Sequence, residues 1–257
     1  MVTAVISLKG GVGKTTTTVH LAAALAEAGR RVLLIDLDPH GSAGLSLGIG
    51  PGVLPFNGAD VLFRRQPLEL AIFPTSVERL DLVASAPDLR SADVELRGSH
   101  HVLRKALEPI QERYDHIFFD CAPSWNDLAK NALVASEHFL IPSTPHFLAT
   151  KGIEHLAESA ERVAWSAGHP SRFLGVVLTM VDYRIRSTRD RVADIRHSLG
   201  TKVFAVEIRT NISLAEAPAE GLTVFQFSPY ATGAKAYQLL SEEYLAAVPR
   251  PEPALVY

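Results

Sequence analysis

The 257-residue sequence is 47% apolar and carries a net charge of −3, so it can bury a full core and does not bind polyanions through its overall charge. Cys121 is the one cysteine, which excludes a disulfide within the chain and a cysteine-based metal site held by one subunit. The first residues do not resemble a signal peptide, and no apolar run approaches the roughly 18 residues that span a membrane. We therefore expect a cytoplasmic protein.

Short apolar runs alternate with longer amphipathic runs along the chain. In chain order, the pattern predicts a strand at Val2–Leu8, a helix at Thr15–Ala28, strands at Val32–Leu37 and His116–Phe119, a helix at Asp127–Ala135, a strand at His138–Ile141, a helix at Gly152–Ser166, a strand at Phe173–Val181, and helices at Thr188–Leu199 and Ala231–Ala247. Strands that alternate with helices in this way indicate βαβ units. We expect an α/β fold of three layers, with a mainly parallel sheet and helices on both faces.

Two segments interrupt this pattern. Prolines break the periodicity between Pro51 and Arg79, and we interpret these residues as an insertion with a short helix near Ala59–Arg65. The proline-rich residues 249–257 cannot continue a helix. The sequence therefore predicts one domain over residues 1–248 and a flexible tail over residues 249–257.

A glycine-rich segment lies between the first predicted strand and helix. Its glycines permit a tight turn that aims backbone N–H groups inward, and the helix that follows adds the positive end of its dipole. Lys14 can reach the β- and γ-phosphates of a nucleotide, and the Thr15 hydroxyl can ligate Mg²⁺. The predicted nucleotide-binding residues here are Lys9, Gly10, Gly11, Val12, Gly13, Lys14, Thr15 and Thr16.

This segment departs from the common pattern Gly-x-x-x-x-Gly-Lys-Ser/Thr. Leu8 stands where the first glycine is expected, and Lys9 follows it. A second lysine beside Lys14 is costly unless phosphate neutralises both charges. A glycine-rich turn without a ligand is the alternative, but the two lysines and the strand–helix context favour a phosphate loop.

Acidic residues follow two of the predicted strands. Asp36 and Asp38 end the strand at Val32–Leu37, and Asp120 follows the strand at His116–Phe119. Ligands bind beyond the carboxyl ends of parallel strands, so these acids can face the phosphate loop. Asp120 has the position of an acid that holds Mg²⁺ through water. Of Asp36 and Asp38, one could organise the metal shell and the other orient the attacking water; the alternative is that all three form caps or turns.

With these residues, the chain resembles the ParA/MinD-type deviant Walker A ATPases, in particular the small, Soj-like chromosome-partitioning ParA proteins. The resemblance covers nearly the whole chain. The segments that carry it are Lys9–Thr17, Leu33–Pro39, Asp120–Ser124, Leu178–Asp182 and Leu214–Pro218.

The resemblance implies a P-loop NTPase fold and an ATPase that uses ATP and Mg²⁺, with two subunits enclosing two nucleotides. Lys9 would be the signature lysine that reaches the partner's nucleotide, and Lys9, Lys14 and Asp38 would form the catalytic set. Thr15, Asp38 and Asp120 would serve the metal, the two acids through water. The residues implied near the adenine are Met180, Ile208, Arg209 and Asn211.

The resemblance also implies a partitioning role for a chromosome or plasmid. ATP-bound dimers of this family bind DNA without sequence preference, and a ParB-like partner stimulates hydrolysis, so the protein would be cytoplasmic and associated with the nucleoid. Four segments depart from the family pattern. The departing residues are His40 and Ser42 in switch I, Ala122 in switch II, Arg209 and Thr210 near the adenine, and Ser213 in place of a DNA-binding arginine.

Basic residues are concentrated between Arg172 and Arg209, where eight Lys or Arg residues accompany four acids. Arg184 matches a DNA-binding arginine of the family, and Arg186 and Arg189 are expected to substitute for the arginine missing at Ser213. The alternative is an ordinary solvated helix face on which Asp190 and Asp194 pair with some of the arginines.

Two other functions fit the same scaffold. One is a MinD-like or other protein-positioning ATPase that acts at a membrane or on a cargo complex; the acidic residues Glu242 and Glu243 near the end of the last helix argue against membrane binding. The other is a metabolic enzyme, such as an amide-forming synthetase or an electron-transfer reductase; the reductase would need two cluster cysteines per subunit, and Cys121 is the one cysteine. A GTPase is disfavoured because no Asn-Lys-x-Asp segment occurs in the sequence.

Overall fold

A single eight-stranded sheet forms the centre of the computed structural model, which describes residues 1–50, 52–146 and 149–248. The sheet order is β3-β4-β2-β5-β1-β6-β7-β8, and only the β3–β4 pair is antiparallel. The strands of this described part are β1 (Val2–Val5), β2 (Val32–Leu37), β3 (Ile72–Pro74), β4 (Leu80–Val83), β5 (His116–Cys121), β6 (His138–Ser143), β7 (Arg172–Val181) and β8 (Val203–Arg209).

Helices cover both faces of the sheet. Over the same described residues they are α1 (Lys14–Glu27), α2 (Ser42–Ser46), α3 (Gly58–Leu62), α4 (Ala92–Leu96), α5 (Val102–Leu107), α6 (Asp127–Ala135), α7 (Ala149–Ser166), α8 (Thr188–Leu199), α9 (Ile212–Glu216), α10 (Val224–Phe227) and α11 (Thr232–Ala247). Short 3-10 helices lie at Leu68–Ala71, Pro87–Ser91, Gln111–Arg113, Gly200–Lys202 and Ala217–Glu220.

Alternate side chains of the strands enter two separate hydrophobic cores. In β2, Leu33 and Ile35 pack in the core beneath α3 and α5–α7, whereas Val32 and Leu34 pack in the core beneath α1 and α11. Because successive side chains of a strand point to opposite faces, a strand buried on both faces reads as a nearly continuous apolar run. The predicted three-layer α/β fold is confirmed.

The element boundaries agree with the sequence to different degrees. The predicted β2, α6 and α8 match residue for residue, while β1 ends at Val5 rather than Leu8 and α7 begins at Ala149 rather than Gly152. In the insertion, the predicted helix at Ala59–Arg65 is the shorter α3. The pattern missed β3, β4 and β8, which are short or mix apolar with charged residues.

The edge strand β8 is held by side chains as well as by β7. Its register with β7 is irregular between Val176 and Leu178. The Arg196 guanidinium donates to the carbonyls of Phe204 and Ala205, each at 3.1 Å. The Glu243 carboxylate of α11 accepts from the next backbone N–H groups, those of Ala205 and Val206. The middle of this edge therefore has its polar backbone groups bonded to side chains of α8 and α11.

The proposed extent of the domain stays a prediction. One sheet and its two cores draw on elements from β1 to α11, which fits a single domain over residues 1–248. The predicted tail, residues 249–257, lies outside the described residues. None of the helices in the described ranges is both long enough and apolar enough to cross a membrane.

Candidate nucleotide site

The glycine-rich loop joins the end of β1 to the start of α1 at the carboxyl edge of the sheet. Gly11 and Gly13 have φ angles of 71° and 75°, which residues with a Cβ rarely adopt. The Val12 carbonyl accepts a hydrogen bond of 2.7 Å from the Thr179 hydroxyl of β7. The loop is therefore anchored to β7, while Lys9, Gly10 and Gly11 remain exposed.

Lys14 is buried and paired with an acid. Its Nζ lies 3.0 Å from Asp120 Oδ1 and 3.9 Å from Asp38 Oδ2. Burial lowers the pKa of Lys14, but the Asp120 charge and the hydrogen bond to it outweigh this effect, so the pKa is raised overall. Lys14 is therefore a charged group that is buried beneath the loop.

Asp120 is the central acceptor of the site. It is fully buried and also accepts a 2.6 Å hydrogen bond from the Thr15 hydroxyl. The Thr18 hydroxyl lies 3.1 Å from Asp120 Oδ1 and 2.9 Å from the Lys14 carbonyl. Thr18 was not predicted, although its position one helical turn after Lys14 places it on the same face of α1.

The two acids of β2 have different surroundings. Asp36 is fully buried; its Oδ1 accepts from the Asp38 N–H at 3.0 Å, and its Oδ2 accepts from the Ala43 N–H at 3.0 Å. Burial, with a smaller contribution from the Asp120 charge, raises the pKa of Asp36. Oδ1 therefore bonds the backbone of Asp38 and Oδ2 the start of α2, so Asp36 supports the segment that joins β2 to α2 rather than the metal shell.

Asp38 instead lies at the phosphate loop. Its carbonyl accepts from the Ser85 hydroxyl at 2.6 Å, and its Oδ1 accepts from the backbone N–H of His40 at 3.1 Å. The His40 ring nitrogen Nδ1 lies 2.8 Å from the same oxygen. Oδ2 faces Lys14, so one carboxylate oxygen is held and the other is directed into the site.

A cavity of about 340 Å³ lies above the loop. Its lining contains nine of the predicted site residues together with three residues that were not predicted, Ser42, Ser46 and Pro123. The lining residues are Lys9, Gly10, Gly11, Gly13, Lys14, Thr15, Thr16, Asp38, Ser42, Ser46, Pro123 and Met180. Val12 and Asp120 lie behind this surface, because both side chains are buried.

A second cavity, of about 240 Å³, adjoins the first through Gly13, Thr16 and Met180. It is lined by all four residues implied near the adenine: Met180, Ile208, Arg209 and Asn211. Met180 has a φ angle of 50°, which is unfavourable for a residue with a Cβ and occurs mostly at sites where the surroundings enforce it. The two cavities together offer space for an extended ligand with an anionic end.

Two of these residues also have partners within the chain. The Asn211 side chain caps α9 by accepting from the Leu214 N–H at 3.2 Å, and it donates to the Thr232 hydroxyl at 2.9 Å. The Arg209 guanidinium lies 5.2 Å from the centre of the Tyr183 ring. Base contacts by Asn211 and Arg209 stay a prediction.

The oxygen atoms around Lys14 fit Mg²⁺. Thr15 supplies a hydroxyl, and Asp38 and Asp120 supply carboxylates, which are hard donors that this ion prefers. Across the described ranges, no group of three or more His, Cys, Asp or Glu residues has the geometry to hold a metal by itself. A site with few protein ligands suits Mg²⁺, which retains waters and binds substrate phosphates.

The arginines between Arg172 and Arg209 differ in whether they form ion pairs. Arg184 is paired with Asp182 at 2.7 Å, although its side chain is 84% exposed. Arg196 is paired with Glu207 at 3.0 Å, in addition to its bonds along β8. Arg186 and Arg189 are exposed and make no ion pair within the described part of the chain. The pairing of arginines with Asp190 and Asp194, the alternative considered above, does not occur there.

Comparisons with known proteins agree with this architecture. A family model described as an AAA domain matches residues 1–168. The chain is 40% identical over 245 residues to the chromosome-partitioning ATPase Soj of Thermus thermophilus, and the match covers 95% of each chain.

Solved structures show the same fold. Cobyrinic acid a,c-diamide synthase from Mycobacterium smegmatis, with a bound ATP analogue and magnesium, is 31% identical with a TM-score of 0.81, covering 95% of this chain and 93% of that chain. The cell division ATPase MinD of Pyrococcus furiosus is 25% identical with a TM-score of 0.79, covering 96% of this chain and 99% of that chain. Together with the Soj relative, these matches confirm the resemblance inferred from the loop and the strand-end acids. The chain belongs to the ParA/Soj family of P-loop ATPases.

Proposed function

We propose that this protein is a slow, dimer-dependent ATPase that uses ATP and Mg²⁺ as a switch in chromosome or plasmid partitioning. The contrast between its two loop lysines supports this most directly. Lys14 is buried and already balanced by Asp120, whereas Lys9 is exposed at the mouth of the phosphate cavity and has no ion-pair partner among the described residues. An exposed cation at such a cavity is stabilised most when a phosphate binds beside it. The exposed position of Lys9 also leaves it accessible to the nucleotide of a second subunit.

The site residues would act on ATP as follows. The loop N–H groups and Lys14 would bind the phosphates. The Lys14 ammonium would then interact with the nucleotide as well as with Asp120, and its ion pair with Asp120 would weaken. Mg²⁺ would neutralise phosphate charge, held by Thr15 directly and by Asp38 and Asp120 through water. Asp38 orients the water that attacks the γ-phosphorus, and the products are ADP and phosphate without a covalent enzyme intermediate. Loss of the γ-phosphate frees the segments after Asp38 and Asp120.

A comparison of Lys9→Ala with Lys14→Ala tests the dimer. We expect Lys9→Ala to keep most of its affinity for ATP but to lose ATP-induced dimers and hydrolysis, while Lys14→Ala loses all three. Fluorescent-nucleotide titration, light scattering after gel filtration and phosphate release measure them, with Lys105→Ala on α5 as the control for an exposed lysine. Equal loss of all three properties in Lys9→Ala means that Lys9 only supports its own loop.

We further propose that ATP-bound dimers bind DNA without sequence preference through Arg186 and Arg189, with a smaller contribution from Arg184. The guanidinium of Arg184 must first give up Asp182, whereas Arg186 and Arg189 have no such partner in the described ranges. Arg186→Ala should weaken binding to sheared DNA and reduce the slope of log affinity against log salt by about one. Arg113→Ala is the control. If neither Arg184→Ala nor Arg186→Ala changes the affinity, this surface is not the DNA site.

The same proposal includes a ParB-like partner that stimulates hydrolysis and a cytoplasmic, nucleoid-associated location. The similarity to the Soj protein of Thermus thermophilus supports it. The test is the rate of phosphate release with DNA, measured with and without a ParB-like protein encoded beside this gene. Absence of stimulation by such a neighbour would remove this part of the proposal while leaving the ATPase intact.

A second candidate is a MinD-like ATPase that acts at a membrane, which the structural match to MinD of Pyrococcus furiosus favours. Against it, α11 is fixed to β8 through Glu243 and carries Glu242 on its exposed face, so it is not a free basic helix. Retention on DNA and on acidic liposomes, each with ATP and with ADP, separates the two. Retention on liposomes alone would replace our proposal with the MinD-like one.

A third candidate is an amide-forming synthetase, since a diamide synthase is among the structural matches. Such an enzyme consumes ATP only together with an acid and an amine donor. ATP hydrolysis that DNA stimulates and glutamine or ammonium leaves unchanged would argue against it.

A further inference from the structure

His40 lies two residues after Asp38, in the turn that leads to α2. The Gly41 N–H donates to the Asp38 carbonyl at 2.8 Å, which closes a four-residue turn with Pro39 at its second position, where proline is favoured. The Ser85 hydroxyl donates to the same carbonyl. The backbone of Asp38 is therefore fixed independently of its side chain.

The orientation of the Asp38 carboxylate depends on His40. Oδ1 accepts from both the backbone N–H of His40 at 3.1 Å and its ring Nδ1 at 2.8 Å, so Nδ1 carries a proton in this contact. Lys14 approaches only Oδ2, and at 3.9 Å it makes an ion pair without a hydrogen bond. In the described part of the chain, the His40 ring is thus the one side chain that donates a hydrogen bond to this carboxylate.

This contact decides which oxygen faces the phosphate cavity. The terminal torsion of an aspartate is broad, so a carboxylate held by one backbone N–H alone can rotate. With Oδ1 held by two donors, Oδ2 remains on the side of Lys14 and the cavity. We propose that His40 is a positioning residue that fixes Asp38 so that Oδ2 orients the attacking water; this inference rests on the proposed ATPase function.

The exposure of His40 makes the proposal testable. Its side chain is 72% exposed, so removing the ring opens no cavity in the core and should change stability little. His40 does not line the phosphate cavity. A loss of its hydrogen bond should therefore lower kcat without raising the KM for ATP.

The experiment compares His40→Ala with His40→Asn. Ala removes the donor, whereas the Asn amide can place an N–H close to the position of Nδ1. In single-turnover hydrolysis with excess protein, MgCl₂ and sheared DNA, we expect His40→Ala to be about tenfold slower, since a hydrogen bond to a charged group has this order of effect. His40→Asn should recover at least half of the rate. The KM for ATP and ATP-induced dimerisation should be unchanged in both variants, with His101→Ala as the control for an exposed histidine.

The outcomes separate this inference from the proposed function. A His40→Ala variant that hydrolyses ATP at the unsubstituted rate overturns the positioning role alone. A slower His40→Ala variant that Asn fails to rescue, or one whose KM rises with the fall in kcat, also overturns it. Absence of hydrolysis in the unsubstituted chain overturns the proposed function itself.

Discussion

Two glycine residues bring the end of helix α2 into direct backbone contact with the segment that follows α9. Gly48 follows α2, and Gly221 ends the 3-10 helix at Ala217–Glu220; their φ angles are 76° and 66°. A Cβ on Gly221 would lie 2.6 Å from the Cα and 3.1 Å from the nitrogen of Gly48. No side-chain rotation can relieve a clash between two backbones, so Gly221→Ala must move one of the two segments.

The loss of unfolding free energy that this clash causes can be separated from the loss that a positive φ angle causes. Gly168 has the same φ angle of 76° as Gly48, and a Cβ there would meet nothing within 4 Å. Gly168→Ala should therefore cost only the backbone conformation, about 1 kcal/mol of unfolding free energy. Gly221→Ala adds overpacking, which costs about 1–3 kcal/mol more. Gly48→Ala, whose Cβ would lie 3.2 Å from the Gly221 carbonyl oxygen, should fall between them.

Urea unfolding of the three variants measures this order, provided that their m-values agree. Hydrogen–deuterium exchange should in addition show faster exchange across residues 41–49 in Gly221→Ala than in Gly168→Ala, because the displaced contact supports α2. Equal destabilisation of Gly221→Ala and Gly168→Ala, with equal exchange, would refute this prediction, since the contact would then place no constraint on α2.

Three further predictions concern buried polar groups. Burial lowers the pKa of His20 from 6.5 to about 4, and a hydrogen bond to the Thr16 carbonyl opposes this shift only weakly. Between these two pH values the unfolded chain binds a proton that the folded chain does not, so the free energy of unfolding is highest above pH 6.5 and falls by about 3 kcal/mol as the pH decreases towards 4. Urea unfolding should show a flatter pH dependence for His20→Gln. Lys14→Met should lower the unfolding free energy by about 3–5 kcal/mol at pH 7, because it leaves the buried Asp120 carboxylate unpaired; a loss below about 1 kcal/mol in urea contradicts this pairing. Tyr244→Phe removes a buried 2.8 Å hydrogen bond to the Thr3 hydroxyl and should cost about 1–2 kcal/mol in the same assay, with part of the loss recovered when Thr3→Val is added.

The sequence predicted those parts of the fold whose local pattern and final environment agree. The strand β2 is apolar at every position except Asp36 because both of its faces are buried, and its boundaries were correct. The strand β8 combines Glu207 and Arg209 with apolar residues at an irregular edge, so its pattern is not that of a buried strand. Ile208 and Arg209, which line the second cavity, were identified as site residues by the family resemblance and not by a predicted strand.

Within the candidate site, local sequence could not distinguish acids or arginines that have similar neighbours. Asp36 and Asp38 are two residues apart, and only the return of α2 shows that Asp36 binds backbone N–H groups while Asp38 faces the cavity. Similarly, Arg184 and Arg186 look alike in sequence, but only Arg184 is paired with Asp182. Such differences depend on tertiary contacts, which neither hydrophobic periodicity nor residue spacing contains.

The bonded edge of β8 has a consequence for how copies of the chain can associate. An open edge strand can serve as a template on which another chain adds a strand, which is a common route to aggregation. Here Arg196 occupies carbonyls and Glu243 occupies N–H groups in the middle of that edge, while the opposite edge is the three-residue β3, which contains Pro74. Neither edge offers a long row of open backbone groups. These edges therefore disfavour a continuous sheet between copies, and the proposed dimer would have to form through another surface, such as the loops at the carboxyl ends of the strands.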